Sequence, residues 1–260
     1  MSSLTEKKAI IADLEGFMFR PPQVLRKCKR VLIKPNAAYP KLHPVTTSIE
    51  TLQIIIDGIR QTSQAEIIIL EGTVSSQSAE EIFTKLGYQK LGVELLDVDQ
   101  CDYMRMVNPL EEPYVLKEIY VPQIISTCDY KISVSPFKLQ TNLSSLTIKN
   151  LLGLLPRSKY RAKNPIARGK LHIWGIHKCI ADVFFTLDFD LGIIDGRRKF
   201  ISQRGPAVGK SEDFGKILVG DLLTVDKEAL RLSGLQAKYI RLIENEINKV
   251  RGAKQVFKME

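Results

Sequence analysis

Cationic and amide side chains crowd one short stretch, Ser135-Pro136-Phe137-Lys138-Leu139-Gln140-Thr141-Asn142 followed by Leu146-Thr147-Ile148-Lys149-Asn150-Leu151-Leu152-Gly153, where a buried run would be apolar. Lysine is a compact point charge suited to carboxylate or phosphate, and it acts as a base only where burial lowers its pKa. Lys138, Asn142, Thr147, Lys149 and Asn150 are therefore candidate ligand-binding groups, with Lys149 also a candidate proton carrier. The competing reading is a helix whose lysine reaches solvent along its own methylene stem. Recurrence of such groups within one strand-to-helix turn favours a ligand.

Lys34-Pro35-Asn36 repeats the combination. Pro35 fixes its own φ and restrains Lys34, so the chain stays extended as it leaves a strand and both polar groups face the same mouth. A turn with a solvated lysine is the alternative. Asp195-Gly196 ends a further expected strand, which adds Asp195 to the candidate binding set. The run Gly205-Pro206-Ala207-Val208-Gly209-Lys210-Ser211 falls one residue short of the phosphate-loop spacing, which argues against nucleotide hydrolysis. Gly205 and Gly209 could still let backbone amides approach an anion, or could sit in a surface loop. The histidines, His43, His172 and His177, are candidate acid-base groups. His172 and His177 lie five residues apart and do not share a helical face, so no metal site is expected.

These residues need elements to hold them. Val31-Leu32-Ile33 and Ile67-Ile68-Ile69-Leu70 read as strands ending in polar turns, and Ile49, Leu52, Ile55, Ile56 and Ile59 have helical spacing between them, with Thr46, Thr47 or Ser48 as cap. Strand, helix, strand in that order is a parallel crossover. The rhythm continues with a helix over 78–86, strands over 93–98 and 114–121, a strand over 130–135 leading into the polar stretch, and a strand over 187–194. Residues 101–113 suggest a hairpin arm covering a sheet edge, 156–170 a basic loop, and 224–250 helices broken near Ser233-Gly234. The expected fold is a three-layer, Rossmann-like α/β domain over residues 1–260, with a mostly parallel sheet, helices on both faces and a C-terminal helical extension from 235. In such open sheets ligands bind at the carboxyl ends of the strands.

With 44% hydrophobic residues the chain can bury an ordinary core, and its net charge of +9 draws anionic ligands or nucleic acid without choosing between them. Cys28, Cys101, Cys128 and Cys179 are widely separated and lack the close runs that hold iron–sulfur clusters, so reduced thiols and no intrinsic cluster are expected. No segment reaches the roughly 18 consecutive apolar residues of a membrane span. A cytoplasmic location with no membrane partner follows as the expectation.

Lys34-Pro35-Asn36, Pro-x-Lys-x-x-Thr at 136–141, Lys149-Asn150-x-x-Gly153, Asp195-Gly196, Gly205-Pro206-x-x-Gly209 and Gly220-Asp221-x-x-Thr224-Val225-Asp226 occur in an order that resembles domain-of-unknown-function family 362 from about Val31 to Gly234. The resemblance implies an α/β domain, and many relatives carry an iron–sulfur segment that this chain lacks. Relatives commonly have histidine where Asn142 stands, so a proton-transfer role at that position is not expected here. A looser likeness of fold to the nickel-pincer lactate racemases assigns no residue.

The favoured expectation is a cytoplasmic enzyme that binds an anionic small molecule through Lys34, Asn36, Lys138, Lys149 and Asn150. His43, His172 or His177 would handle protons, and any redox chemistry would draw on an external partner. The rival is a nucleic-acid or protein-partner module using the cations Arg157, Lys159, Arg161, Lys163, Arg168 and Lys170, and a third reading makes that segment a lid.

Overall fold

The computed structural model describes residues 8–74, 77–163 and 168–256. Among these described residues nine strands form: β1 (Ile10–Asp13), β2 (Arg30–Lys34), β3 (Glu66–Glu71), β4 (Glu94–Asp97), β5 (Tyr103–Val107), β6 (Glu118–Pro122), β7 (Tyr130–Leu139), β8 (Leu191–Ser202) and β9 (Gly209–Gly220). Seven make one sheet in the order β1-β9-β8-β7-β2-β3-β4, in which β9 runs against both neighbours and the remaining pairs are parallel. Val31 and Ile33 face one layer and Leu32 the other, all three fully buried, which is why the central strands read as continuous apolar runs rather than alternating ones.

One face is covered by α1 (Ile49–Arg60) and α2 (Ala79–Leu86). Ser48 starts α1 by accepting from Thr51 N at 3.1 Å, and Ser78 with Glu81 forms a capping box on α2, so two of the crossovers are punctuated by their own side chains. The short α3 (Thr147–Asn150), α4 (Arg157–Tyr160) and α5 (Gly169–Ile173), with α6 (Ile176–Thr186), α7 (Leu222–Leu232) and α8 (Lys238–Val256), lie in the second half of the chain. Ile148, Ile180, Val225 and Tyr239 carry α3, α6, α7 and α8 onto the opposite face. The expected three-layer α/β architecture and mostly parallel sheet are present. Among the described residues no helix is long and apolar enough to cross a membrane.

Four expectations change. Residues 114–121 do not add a strand to the main sheet: β6 pairs antiparallel with β5 in a separate two-stranded sheet, and the buried Asp182 of α6 holds the intervening loop by accepting from Tyr114, Val115 and Leu116 N. The strand before the polar cluster does not stop at Ser135; β7 runs to Leu139 through a bulge at Pro136/Phe137, so Lys138 lies within a strand. Asp195-Gly196 is likewise internal. Residues 187–190 precede β8, which passes Asp195 and bulges between Gly196 and Arg198 to remain paired with β9. The basic stretch is not a plain loop, because α4 and α5 occupy its two ends; its residues 164–167 lie outside those described.

Candidate functional site

Lys34 closes β2 and Glu71 closes β3, and because these strands are parallel neighbours both side chains emerge at the same edge. Lys34 Nζ donates to Glu71 Oε1 at 2.7 Å, to Pro35 O at 2.7 Å and to Asn150 Oδ1 at 3.3 Å. Its three N–H groups thus have three acceptors, with the ion-pair side chains 0% and 2% exposed. Burial pushes the Lys34 pKa down while Glu71 pulls it up. Glu71 is equally occupied: Oε1 also accepts from Gly72 N at 2.9 Å and Oε2 from Ala37 N at 2.6 Å. A buried pair persists only when its remaining hydrogen-bonding capacity is met, as it is here.

Two glycines make room for it. A methyl group on Gly153 would lie 2.5 Å from Glu71 Oε1 and 2.7 Å from Lys34 Nζ, and one on Gly72 would lie 2.5 Å from Arg168 Nη2 and run into Gly153 O. The Lys149-Asn150-x-x-Gly153 spacing therefore has a local cause. One turn of helix brings Asn150 onto Lys34, and the following 3-10 turn, Leu151–Leu154, lays Gly153 against the ion pair. Asn150 ties the elements together by donating to Lys34 O at 3.0 Å and to Ser133 Oγ at 3.2 Å, while its Oδ1 also accepts from Asn36 Nδ2 at 3.2 Å.

Beside this framework lies a cavity of about 370 Å³, within the size range of small-molecule sites. Lys34, Asn36, Lys138, Lys149, Asn150 and His172 line it, with Glu71, Arg168, Tyr39 and Pro206, and with Leu143, Leu152, Leu171 and Ile176 as apolar wall. Lys138 Nζ donates to Val45 O at 2.9 Å, has Asn36 Oδ1 at 3.5 Å, and stands 5.9 Å from the centre of the Tyr39 ring. Lys149 Nζ donates to Leu143 O at 3.0 Å. Burial, and then the nearby Lys149, bring the Lys138 pKa down to about 7; burial brings Lys149 down to about 8. Among the described residues no carboxylate pairs with either amine. His172 is exposed, and burial followed by Lys149 lowers its pKa.

The other expected groups stand elsewhere. Thr147 points to Asp226 of α7, giving it both Oγ1 at 2.6 Å and N at 2.8 Å, and so anchors α3 rather than lining the cavity. Burial raises Asp226 to about 7 against these hydrogen bonds. Asp195 Oδ2 accepts from Ser48 N at 3.1 Å and lies 3.4 Å from His43 Nδ1, forming a buried cluster at the start of α1. Burial lowers the His43 pKa and Asp195 opposes it. His177 is on α6 outside the cavity lining. Gly205 sits in the β8–β9 hairpin at φ +90°, and a methyl group on Gly209 would run into Ile201 O; of that loop Pro206 is what reaches the cavity. Asn142 takes φ 62° in a turn, a conformation asparagine tolerates.

Glu71, Gly72 and Arg168 are site residues that the sequence reading missed. Arg168 donates to Leu155 O, to Thr73 O at 3.0 Å and to Gly153 O at 2.8 Å, so this buried cation clamps the ion-pair loop instead of facing solvent. Arg157 likewise turns to Asp99 at 2.5 Å. Lys159 Nζ stands 4.7 Å from the centre of the Tyr120 ring and Lys170 Nζ donates to Lys159 O at 3.1 Å, so four of the six cations credited to a nucleic-acid surface are engaged within the fold. Among the described residues no group of three or more His, Cys, Asp or Glu side chains gathers to hold a metal ion.

A mostly parallel, doubly covered sheet, with a ligand-sized cavity lined by several cationic side chains, defines an α/β protein. The chain belongs to the family described as Domain of unknown function (DUF362), which matches residues 31–231. Among solved structures it is similar to the lactate racemase apoprotein from Thermoanaerobacterium thermosaccharolyticum, with a TM-score of 0.51 and 15% identity over 83% of this chain and 52% of that one. The chain therefore spans about half the length of that protein, and the likeness is one of fold. No curated protein matches it in sequence.

Proposed function

We propose that the protein is an enzyme acting on a small molecule that carries a carboxylate or phosphate, held between Lys138 and Lys149. The observation that carries this reading is the pairing of a buried amine, Lys138, with a half-buried one, Lys149, each with fewer acceptors than N–H groups and both lining a cavity of about 370 Å³. An anion there would restore the charge that burial suppresses on Lys138, whose neighbours already favour a cation. Lys34, Glu71, Asn150 and Arg168 then act as the frame, since their hydrogen-bonding groups already have partners. Lys149 and His172 are the proton carriers within reach of a bound molecule; His43 and His177 lie outside the cavity lining. The structural neighbour is a racemase of lactate, itself a small carboxylate, which is compatible with this ligand class. The reaction takes place in the cytoplasm on this reading, and a redox step would use an external electron donor.

Calorimetric titration of lactate, pyruvate and inorganic phosphate into wild type and Lys149→Ala tests the proposal. At least one anion should bind wild type and lose about tenfold or more in affinity in the variant, the scale of one charge-assisted hydrogen bond. Equal affinity for every anion that binds would remove Lys149 from the site.

A further inference from the structure

Lys138 and Lys149 differ in what surrounds them, and the difference points to chemistry beyond binding. Lys138 is set among groups that favour a cation: a carbonyl oxygen, an amide oxygen and the face of the Tyr39 ring. Lys149 Nζ has one acceptor, Leu143 O, and lines the cavity together with the apolar side chains of Leu143, Leu152, Leu171 and Ile176. Two amines lining one cavity disfavour each other's protonation, which is one of the ways a lysine becomes a nucleophile. In the empty cavity Lys138 is the more depressed, because Lys149 stands near it. A carboxylate arriving at Lys138 stabilises the ammonium there and leaves Lys149 as the free amine.

We infer that Lys149 forms an imine with a 2-oxo acid whose carboxylate is held by Lys138. This rests on the anion-binding reading and narrows it to a substrate with a carbonyl next to its carboxylate. The Lys149 nitrogen attacks the carbonyl carbon, a new C–N bond forms, and the carbonyl π pair moves to oxygen, which takes a proton. The nitrogen loses one proton, its lone pair forms the C=N bond as the hydroxyl leaves with a further proton as water, and the resulting iminium gives up the second nitrogen proton, so that amine and ketone give imine and one water with no change in oxidation state. The imine, once protonated, withdraws electrons from the adjacent carbon, which is the use such lysines have in catalysis.

The test is reductive trapping on the full chain. Wild type is incubated with pyruvate and sodium borohydride, and the intact mass and the modified peptide are determined. The expected result is one added pyruvate less one water plus two hydrogens, located at Lys149, with no addition from lactate, which has no carbonyl. The adduct should be lost in Lys149→Arg, which keeps the charge and cannot form the imine, and reduced in Lys138→Met. Calorimetry of pyruvate with wild type, without borohydride, separates the two levels of the claim. Pyruvate that binds but leaves no adduct on Lys149 overturns the imine and leaves the anion site standing. Failure of any of the three anions to bind, together with no adduct, overturns both. An adduct at Lys138 instead, or spread evenly over surface lysines, also overturns the inference, and the wild-type result stands whether or not the variants fold.

Discussion

Glu71→Gln tests the frame of the site most severely. Glu71 accepts from Lys34 Nζ and Gly72 N through one oxygen and from Ala37 N through the other. Glutamine keeps one acceptor and turns the other into a donor. In one orientation its NH₂ opposes Ala37 N–H; in the other it opposes both Lys34 and Gly72. The Lys34 ammonium, fully buried, also loses its counter-charge. Removing one partner of a buried pair costs about 3–5 kcal/mol. Against a total stability of roughly 5–15 kcal/mol this is a large fraction, and for a chain of this size it lowers Tm by roughly 10 °C. The assay is urea unfolding followed by circular dichroism. Burial already lowers the Lys34 pKa and Glu71 opposes that; without Glu71 it falls further, so the unfolded state holds more protons over a wider range. Stability of the variant should therefore rise with pH more steeply than that of wild type as neutral pH is left behind. Pairing Glu71→Leu with Lys34→Met should recover much of the loss, with a cost well below the sum of the two single changes. A loss below about 1 kcal/mol for Glu71→Gln, the scale of a surface pair, would refute the reasoning that this pair is desolvated and fully partnered.

Three further outcomes follow from the same geometry. Gly153→Ala should cost about 1–3 kcal/mol or more in chemical unfolding, because its methyl group lands 2.5 Å from Glu71 Oε1, and a fall within experimental error would show that the ion pair can move aside. Lys138→Met should raise stability at neutral pH by about 1 kcal/mol or more while weakening anion binding, since it removes a buried charge that the empty cavity does not neutralise; a less stable variant with intact binding would contradict the assignment. Asp226, pushed up to about 7 from its ordinary 3.8, favours the folded state most below the lower value, so its contribution should fade as pH rises from about 4 to 7. Asp226→Asn should flatten that part of the stability profile, and an unchanged slope in unfolding experiments would place the titration elsewhere.

The parts of the fold legible in sequence were those whose cause is local. The apolar run Val31-Leu32-Ile33 and the spacing of Ile49 to Ile59 announce a buried strand and its crossover helix, and the polar caps mark where they end. Lys34, Asn36, Lys138, Lys149, Asn150 and His172 were named from residue type and position and now line one cavity. Strand length was less legible, because β7 and β8 continue through bulges that break alternation, and this displaced the expected ends at Ser135 and Asp195. Glu71 looked like an ordinary acid at a strand end; its role depends on Lys34, 37 residues earlier in the chain. Arg168 was hidden among cations that looked solvated. The signal for both was glycine: Gly72 and Gly153 are needed where the chain packs against buried charges, but the identity of those charges is set by tertiary closure.

Proton uptake on anion binding tests the central claim most directly. Above about pH 8 the empty cavity favours the neutral form of Lys138, and a carboxylate bound beside it favours the charged form. Lactate, which brings no titrating group near that pH and no carbonyl, is the clean probe. Calorimetry in two buffers of different ionisation enthalpy should show binding to wild type accompanied by net uptake of protons, and smaller uptake in Lys138→Met. Failure of lactate to bind, or binding with no proton uptake and no change in Lys138→Met, would contradict the account.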